Sequence, residues 1–525
     1  MKSNKISRWW RNSKIGTFFR KLWAWTKNGT KVKYILLTYL IVVIIFTLFL
    51  NSSITHNLTY TKDHKISFWD AFFTVCSAFS DTGLVSHPTY IAWNMFGQAI
   101  IAFCILIGGL GIFALKIFLI NVIFLRGRTS LSDVELVAHE RGNSDFFKTK
   151  KMIVDSIIFL LTLLLISSFG LTFYFYYVTP GATNGSQFID LLSGKQVTNE
   201  FISPQHNWDL AFRYGFFHSI SALNNAGFDI IGNNSLLPYY SNYGLQVIFI
   251  VLFVIGGIGY PVIHDFFNFI RTKSKNKDKH YTWSLFTKIS VSTYLITTVL
   301  GFTFLASFEA AAKQNVFLNT DINYDLYGNK AQRVWALFFT TLSTRSAGFS
   351  SFNLHDLTQP SLWVLSILMF IGAAPASTGG GIRTTTTGIL FLTIISKIFN
   401  RPSVRAFRRR IDSETVKMST IVSTISIVIV LLVGFICMSS LSTFGGKVEA
   451  ETFGSTQIFF EAFSAFGTTG LSTGITSNLN IASMIALSVL MFIGQFGISS
   501  SVLIWTSKKN YAYKYEYISE SVAIG

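Results

Sequence analysis

Four segments of the chain can be laid on one another without gaps, and their common shape limits what the whole can fold into. With Gly83, Gly227, Gly348 and Gly470 superposed, the residue ten places earlier is Phe in every copy: Phe73, Phe217, Phe338 and Phe460. The residue before each glycine is Thr82, Ala226, Ala347 or Thr469, and the one after is Leu84, Phe228, Phe349 or Leu471. Each copy reads as a short, mostly apolar helix, then small polar residues, then the glycine, with longer apolar runs on either side. A stretch such as 68–80 is too short for a hydrocarbon core that needs ~20 helical residues, and fits a re-entrant half-span. Glycine reaches positive φ without steric cost, so the chain can turn there and aim successive carbonyl oxygens at one axis. Non-helical backbone at membrane depth is tolerated only where it is buried in protein or lines a watery path. Four such turns in one chain imply a pore ringed by backbone oxygens.

Composition supports a membrane setting. Of 525 residues, 50% are hydrophobic and only 13% charged, far too apolar for an ordinary soluble protein. The net charge of +18 suggests nucleic acid at first, but its distribution excludes that partner. Stretches 1–33, 126–151, 271–288, 397–417 and 508–514 hold 32 of the 43 lysines and arginines, between apolar spans. This is the pattern of cytoplasmic loops under the positive-inside rule, and it predicts a multi-pass protein of the cell membrane with both termini cytoplasmic. The three cysteines, Cys76, Cys104 and Cys437, stand far apart in apolar context and read as free core thiols. The N-terminus lacks a small-residue cleavage site, so the first apolar run is read as a retained span. Trp9, Trp10, Trp23 and Trp25 suit an interfacial arm.

The fold class expected is an all-α polytopic membrane protein: four span, pore-helix, span units with fourfold pseudo-symmetry around a central pore. The boundaries are a basic arm at 1–33, units at 34–125, 152–270, 283–399 and 416–507, and a tail at 508–525. In the first unit the second span is read as 93–125, where Lys116 snorkels or charges the pore mouth. Its glycines Gly108, Gly109 and Gly111 return as Gly256, Gly257 and Gly259, and the fourth unit carries Gly494 and Gly497. The third unit departs from a plain helix. Gly372, Pro375 and Gly379 to Gly381 crowd its inner helix, and proline removes a helix donor while each glycine costs ~1 kcal/mol, so it should be broken midway.

These motifs resemble the ion-translocating membrane subunit of bacterial Ktr and Trk potassium uptake systems, closest to the Ktr type. The likeness rests on the filters Asn224-Asn225-Ala226-Gly227-Phe228, Arg345-Ser346-Ala347-Gly348-Phe349 and Gly467-Thr468-Thr469-Gly470-Leu471. It rests also on the run from Thr378 to Thr387, and it covers roughly residues 34–507. The resemblance implies that carbonyls of Thr82, Gly83, Ala226, Gly227, Ala347, Gly348, Thr469 and Gly470 replace the hydration shell of potassium. Asp81, Asn224, Asn225, Arg345, Ser346 and Thr468 would flank that filter. A loop at 376–387, with Thr378, Gly379, Gly380, Gly381 and Arg383, would act as the gate together with Gln495. The family further implies a homodimer in the lipid bilayer on a cytosolic ring of nucleotide-binding regulatory subunits. No cofactor is expected in this chain; potassium is the substrate, and sodium is a candidate coupling or activating ion.

Two residues depart from the family pattern. Asp81 stands where a small neutral residue usually precedes Thr, and would concentrate cations at the mouth or bind one directly. Gln495 replaces an arginine that hinders the pore, so a neutral amide should lower the barrier there.

Blander readings stand beside these. Arg345 pins the third filter through carbonyls or a carboxylate, or takes part in ion energetics. Glu461 and His218, at equivalent places in two pore helices, read as helix anchors. Gly379 to Gly381 could serve close helix packing. Asp81-Thr82-Gly83 spells an aspartic protease triplet, but that chemistry needs two carboxylates sharing a proton; no second triplet exists, and Asp229 and Asp265 lie elsewhere. No Gly-Lys-Ser/Thr follows the glycine run, so it is not a phosphate loop, and no enzyme is expected. The alternative function is an alternating-access secondary cation transporter coupled to sodium or protons, which would call for an inverted repeat.

Overall fold

The computed structural model describes residues 31–111, 146–181, 187–189, 196–198, 201–232, 235–275, 280–313, 317–318, 327–450 and 452–498. The expectations for Lys116, for most of the N-terminal arm and for the C-terminal tail lie outside these residues.

The described chain is helical apart from two small hairpins. In the first unit, α1 (Lys31–Leu50) leads to α2 (Phe68–Phe79) and α3 (Met95–Leu110). In the second, α4 (Phe146–Tyr177) leads to α5 (Trp208–Leu223), α6 (Tyr243–Gly257) and α7 (Tyr260–Lys275). The third contains α8 (Leu285–Ala311), α9 (Lys330–Ser343), α10 (Gln359–Phe370) and α11 (Thr384–Ile398). The fourth contains α12 (Ser413–Met438), α13 (Ser455–Gly467) and α14 (Ile481–Phe496). Hairpin β1–β2 (Gln187–Ile189, Gln196–Thr198) lies between α4 and α5, and β3–β4 (Arg405–Ala406, Arg409–Arg410) between α11 and α12; both are antiparallel.

The four short helices α2, α5, α9 and α13 are the predicted half-spans. Three of them start at a residue whose side chain accepts from an unpaired N–H group. Ser67 and Asp70 form a capping box on α2, Asn329 and Gln332 one on α9, and Asn207 caps α5. The longer helices show the polarity expected in lipid. On α12 the outward residues are Ile421, Ile427, Val428, Leu432 and Phe435, while Ser426, Gly434 and Cys437 are buried. Large apolar groups face outward and small ones mediate packing, the reverse of a soluble helix.

Packing between units closes on itself. The inner helix α3 packs on pore helix α5, α6 on α9, α10 on α13, and α14 returns to α2. Small residues let these helices approach. A Cβ on Gly108 would strike the carbonyl oxygen of Phe79, one on Gly256 that of Leu223, and one on Gly494 that of Phe466. Each inner-helix glycine therefore seats the C-terminal carbonyl of its own pore helix.

Several boundaries differ from the sequence reading. The second span of the first unit does not start at Trp93: Asn94 caps α3, and the helix ends at Leu110 because Gly111 turns to φ +82°. The break expected midway in the third inner helix has counterparts elsewhere. The second is bent by 99° between α6 and α7, with Gly259 at φ +88°, and α14 stops before Gly497 at φ +86°. By length and apolarity, three described helices suffice to cross a bilayer, or four if the bent pair is one span. The inner helices α3, α6 and α14 fall short because each ends within two residues of a glycine at positive φ. Nor does the proposed gate loop reach Thr387. The non-helical stretch runs from 371 to 383, and Thr384 to Thr387 already form the first turn of α11.

Candidate functional site

The four pore helices end a few residues before the four glycines, and the chain folds back over each helix end in the same way. The N–H of Thr82 donates to Ser77 O, that of Ala226 to Ser221 O and that of Thr469 to Ser464 O, at 2.8, 2.8 and 2.9 Å. Ala347 N donates to Ser343 O at 2.8 Å. Hydroxyls reinforce the turn: Ser77 Oγ accepts from Gly83 N at 3.0 Å and Ser464 Oγ from Gly470 N at 3.1 Å. Ser221 Oγ donates to Phe228 O at 2.7 Å. These serines were missed as site residues. Their signal is a Ser six places before the glycine in three of the four copies.

The glycine segments themselves meet. A Cβ on Gly83 would lie 2.5 Å from Ala226 O, and one on Gly227 would lie 2.9 Å from Gly348 Cα. One on Gly348 would collide with Thr469 O, and one on Gly470 with Thr82 O. The segments thus touch in the order first, second, third, fourth, first. All four glycines have positive φ, at +96°, +67°, +78° and +85°, so a side chain at any of them is excluded by conformation as well as by space. On one side they floor a cavity of about 300 Å3, also lined by Asp229, Asn353, Ser472 and Thr476.

On the other side stands a ring of polar residues. Asp81, Asn225, Ser346 and Thr468, each two places before its glycine, all adopt the left-handed conformation, with φ of +50°, +59°, +79° and +45°. All are buried. For residues with a Cβ this geometry costs free energy, and it recurs because the turn off the pore helix requires it.

The 371–383 loop lies directly against this ring. Asn225 and Thr378 Oγ1 are 3.0 Å apart, and Gly380 N donates to Ser346 Oγ at 3.0 Å. A Cβ on Gly380 would sit 2.5 Å from Thr468 Oγ1. Asp81 is reached through the fourth inner helix: Gln495 Nε2 donates to Asp81 Oδ2 at 3.3 Å and to Thr378 O at 2.8 Å. Arg383 closes the circuit by donating from Nη2 to Gln495 O at 2.7 Å and from Nη1 to Gly379 O. Asp81 and Gln495 are therefore hydrogen-bonded to each other, on the loop side of the glycines rather than in the 300 Å3 cavity.

The loop is also sewn to the break in the second unit. Ala374 N donates to Gly257 O at 3.0 Å, Thr378 N to Gly256 O at 3.3 Å, and Tyr260 N to Ala376 O at 2.9 Å. Two interrupted helices thereby satisfy each other's exposed backbone groups, which explains why both can be broken in a buried place. Below the loop lies a second cavity of about 460 Å3, lined by Arg383, Thr386, Ser419 and Gln495 among others.

The remaining predicted residues are anchors by geometry. Arg345 is buried, donates to Thr297 Oγ1 and Gly372 O at 3.0 Å each, and stacks over Tyr294. Asn224 donates to Ile220 O at 2.8 Å and packs against Gly109. Glu461 accepts from Ser472 Oγ, Thr473 N and Thr476 Oγ1 at 2.6, 3.1 and 3.0 Å, and so shapes the segment outside Gly470. His218 accepts from Ile230 N at 3.3 Å through Nε2 and holds the matching segment of the second unit.

A family model described as TrkH, a cation transport protein, matches residues 11–513. This chain belongs to the TrkH family. An uncharacterised cation transporter of Mycoplasma genitalium is 35% identical over 501 residues, spanning 87% of this chain and 88% of that protein. Ktr system potassium uptake protein D of Bacillus subtilis is 29% identical over 460 residues, spanning 87% and 90%. The crystal structure of the potassium transporter TrkH from Vibrio parahaemolyticus superposes with a TM-score of 0.58 at 16% identity, covering 89% of this chain and 84% of that one. At that identity the superposition speaks for the fold: this TrkH-family chain is an all-α polytopic membrane transporter.

Proposed function

We propose that the chain takes up potassium across the cytoplasmic membrane through a pore at the meeting point of its four glycine segments. The observation that carries this reading is the closed order of contacts among Gly83, Gly227, Gly348 and Gly470, with the 371–383 loop set beneath them. Carbonyls of Thr82, Gly83, Ala226, Gly227, Ala347, Gly348, Thr469 and Gly470 replace water around the ion. The pore helices point their C-terminal ends at the ion's path, and each end carries roughly half a negative charge. The loop then acts as the gate, with Thr378, Gly380, Arg383 and Gln495 holding it against the filter. Relatives named as potassium uptake proteins, 29% identical to this chain, support potassium as the ion. A potassium/sodium uptake protein of Enterococcus hirae, 27% identical, keeps sodium as a candidate second ion. Inflow is driven by the membrane potential, worth about 2.3 kcal/mol per charge per 100 mV. The resemblance to Ktr subunits extends the proposal to a homodimer, with both termini cytoplasmic and gated by a cytosolic nucleotide-binding partner.

The test is rubidium and sodium uptake into liposomes holding the purified chain, with each filter glycine changed to Ser in turn. Folded variants should lose discrimination between the two ions by about tenfold or more. Discrimination intact in all four would refute the filter.

A further inference from the structure

The ring inside the filter is made of Asp81, Asn225, Ser346 and Thr468, and Asp81 is the one carboxylic acid among the four. It sits where the C-termini of α2, α5, α9 and α13 converge. Each helix end adds to a potential that is already negative, and a carboxylate deepens it. A cation is therefore held more strongly at Asp81 than at any other place on the ring.

What faces Asp81 comes from the fourth and third units. The Gln495 side-chain amide bridges it to Thr378 O, and the main-chain carbonyl of the same residue accepts from the Arg383 guanidinium. Gln495 thus ties the loop to the first unit, through its main chain to Arg383 and through its side chain to Asp81. Arg383 belongs to the loop's last residues, so movement of the loop carries that positive charge and the Thr378 carbonyl away together.

We propose that Asp81 is a cation-binding position at the inner end of the filter, for which the loop with Gln495 and a permeating monovalent cation compete. The proposal rests on the pore reading above. With the loop in place, the Gln495 amide holds the carboxylate. With the loop displaced, a partly dehydrated alkali cation takes it, completed by the neutral oxygens of Asn225, Ser346 and Thr468. A single carboxylate among amide and hydroxyl oxygens suits a monovalent ion; divalent sites gather several carboxylates or keep their waters.

The experiment measures rubidium flux in both directions, in right-side-out and inside-out vesicles holding the full chain. Asp81→Asn should raise the half-saturating rubidium concentration on the cytoplasmic side by about tenfold and leave the outer one within about twofold. Gln495→Leu, which removes the amide donor from the carboxylate, should lower the cytoplasmic value. Opposite shifts from the two variants cannot come from general damage to the fold, and Gln495→Leu tests the idea even where Asp81→Asn does not fold. Unchanged cytoplasmic values in folded variants, or equal shifts on both sides, would overturn the Asp81 assignment. Wild-type vesicles without rubidium flux would instead overturn the pore reading itself.

Discussion

Arg345 Nη2 donates to the Gly372 carbonyl oxygen at 3.0 Å, so the third glycine segment and the start of the 371–383 loop share one buried guanidinium. Its Nη1 holds Thr297 Oγ1 on α8, also at 3.0 Å. The third glycine segment, the loop and α8 are thus tied at a single side chain. A planar fork reaches two acceptors at once, which an ammonium cannot do with the same geometry.

Replacing Arg345 by Leu leaves Gly372 O and Thr297 Oγ1 without that donor in a buried place, at about 1–3 kcal/mol for each group. Thermal unfolding in detergent should shift down by several degrees, and rubidium uptake should collapse. Arg345→Lys should recover part of both. A leucine variant matching wild type in melting and flux would contradict the tie.

A methyl group on Gly380 would meet Thr468, 2.5 Å from Oγ1 and 2.6 Å from Cγ2. Gly380→Ala should therefore push the loop off the ring and raise rubidium leak through the isolated chain. Adding Thr468→Ala removes the obstacle and should restore the low leak. If the double variant leaks as much as Gly380→Ala alone, contact with Thr468 is not what positions the loop.

Glycines at the pore-helix seats differ in kind from glycines facing open space. Gly108→Ala, Gly256→Ala and Gly494→Ala each drive a Cβ into a backbone carbonyl and should destabilise by about 1–3 kcal/mol. Gly170, inside α4, has nothing within 4 Å of an added Cβ. Gly170→Ala should be neutral or gain up to about 1 kcal/mol of helix propensity. Melting temperatures of the four purified variants decide the matter, and a Gly170 variant as damaged as the rest would count against it.

Glu461 organises the segment outside Gly470 through three accepted hydrogen bonds. That segment lines the outer cavity at Ser472 and Thr476. Glu461→Leu should weaken rubidium uptake from the outside, seen as a higher outer half-saturating concentration, while the cytoplasmic value stays put. Equal changes on the two faces would mean that the whole filter had shifted.

Much of the candidate site was legible in the amino-acid order. The alignment of Phe and Gly in four copies marked the half-spans, and the helices α2, α5, α9 and α13 fall on them. Glycines 83, 227, 348 and 470 take the positive φ that their isolation among small polar residues suggested. The cysteines are buried and unpaired, as their apolar context implied. These features are local: they follow from which residues a turn or a short helix can accept, and no partner in space is needed to read them.

Other features belong to tertiary structure. That Asp81 meets Gln495, 414 positions away, is settled by α14 packing back on α2. The bend at Gly257 to Tyr260 depends on a second broken helix arriving to accept and donate its loose backbone hydrogen bonds. A glycine in a helix states only that a close approach is allowed. Which carbonyl approaches, and which loop settles under which ring, is fixed when distant segments exclude lipid and water from the same space and must satisfy one another's polar groups there.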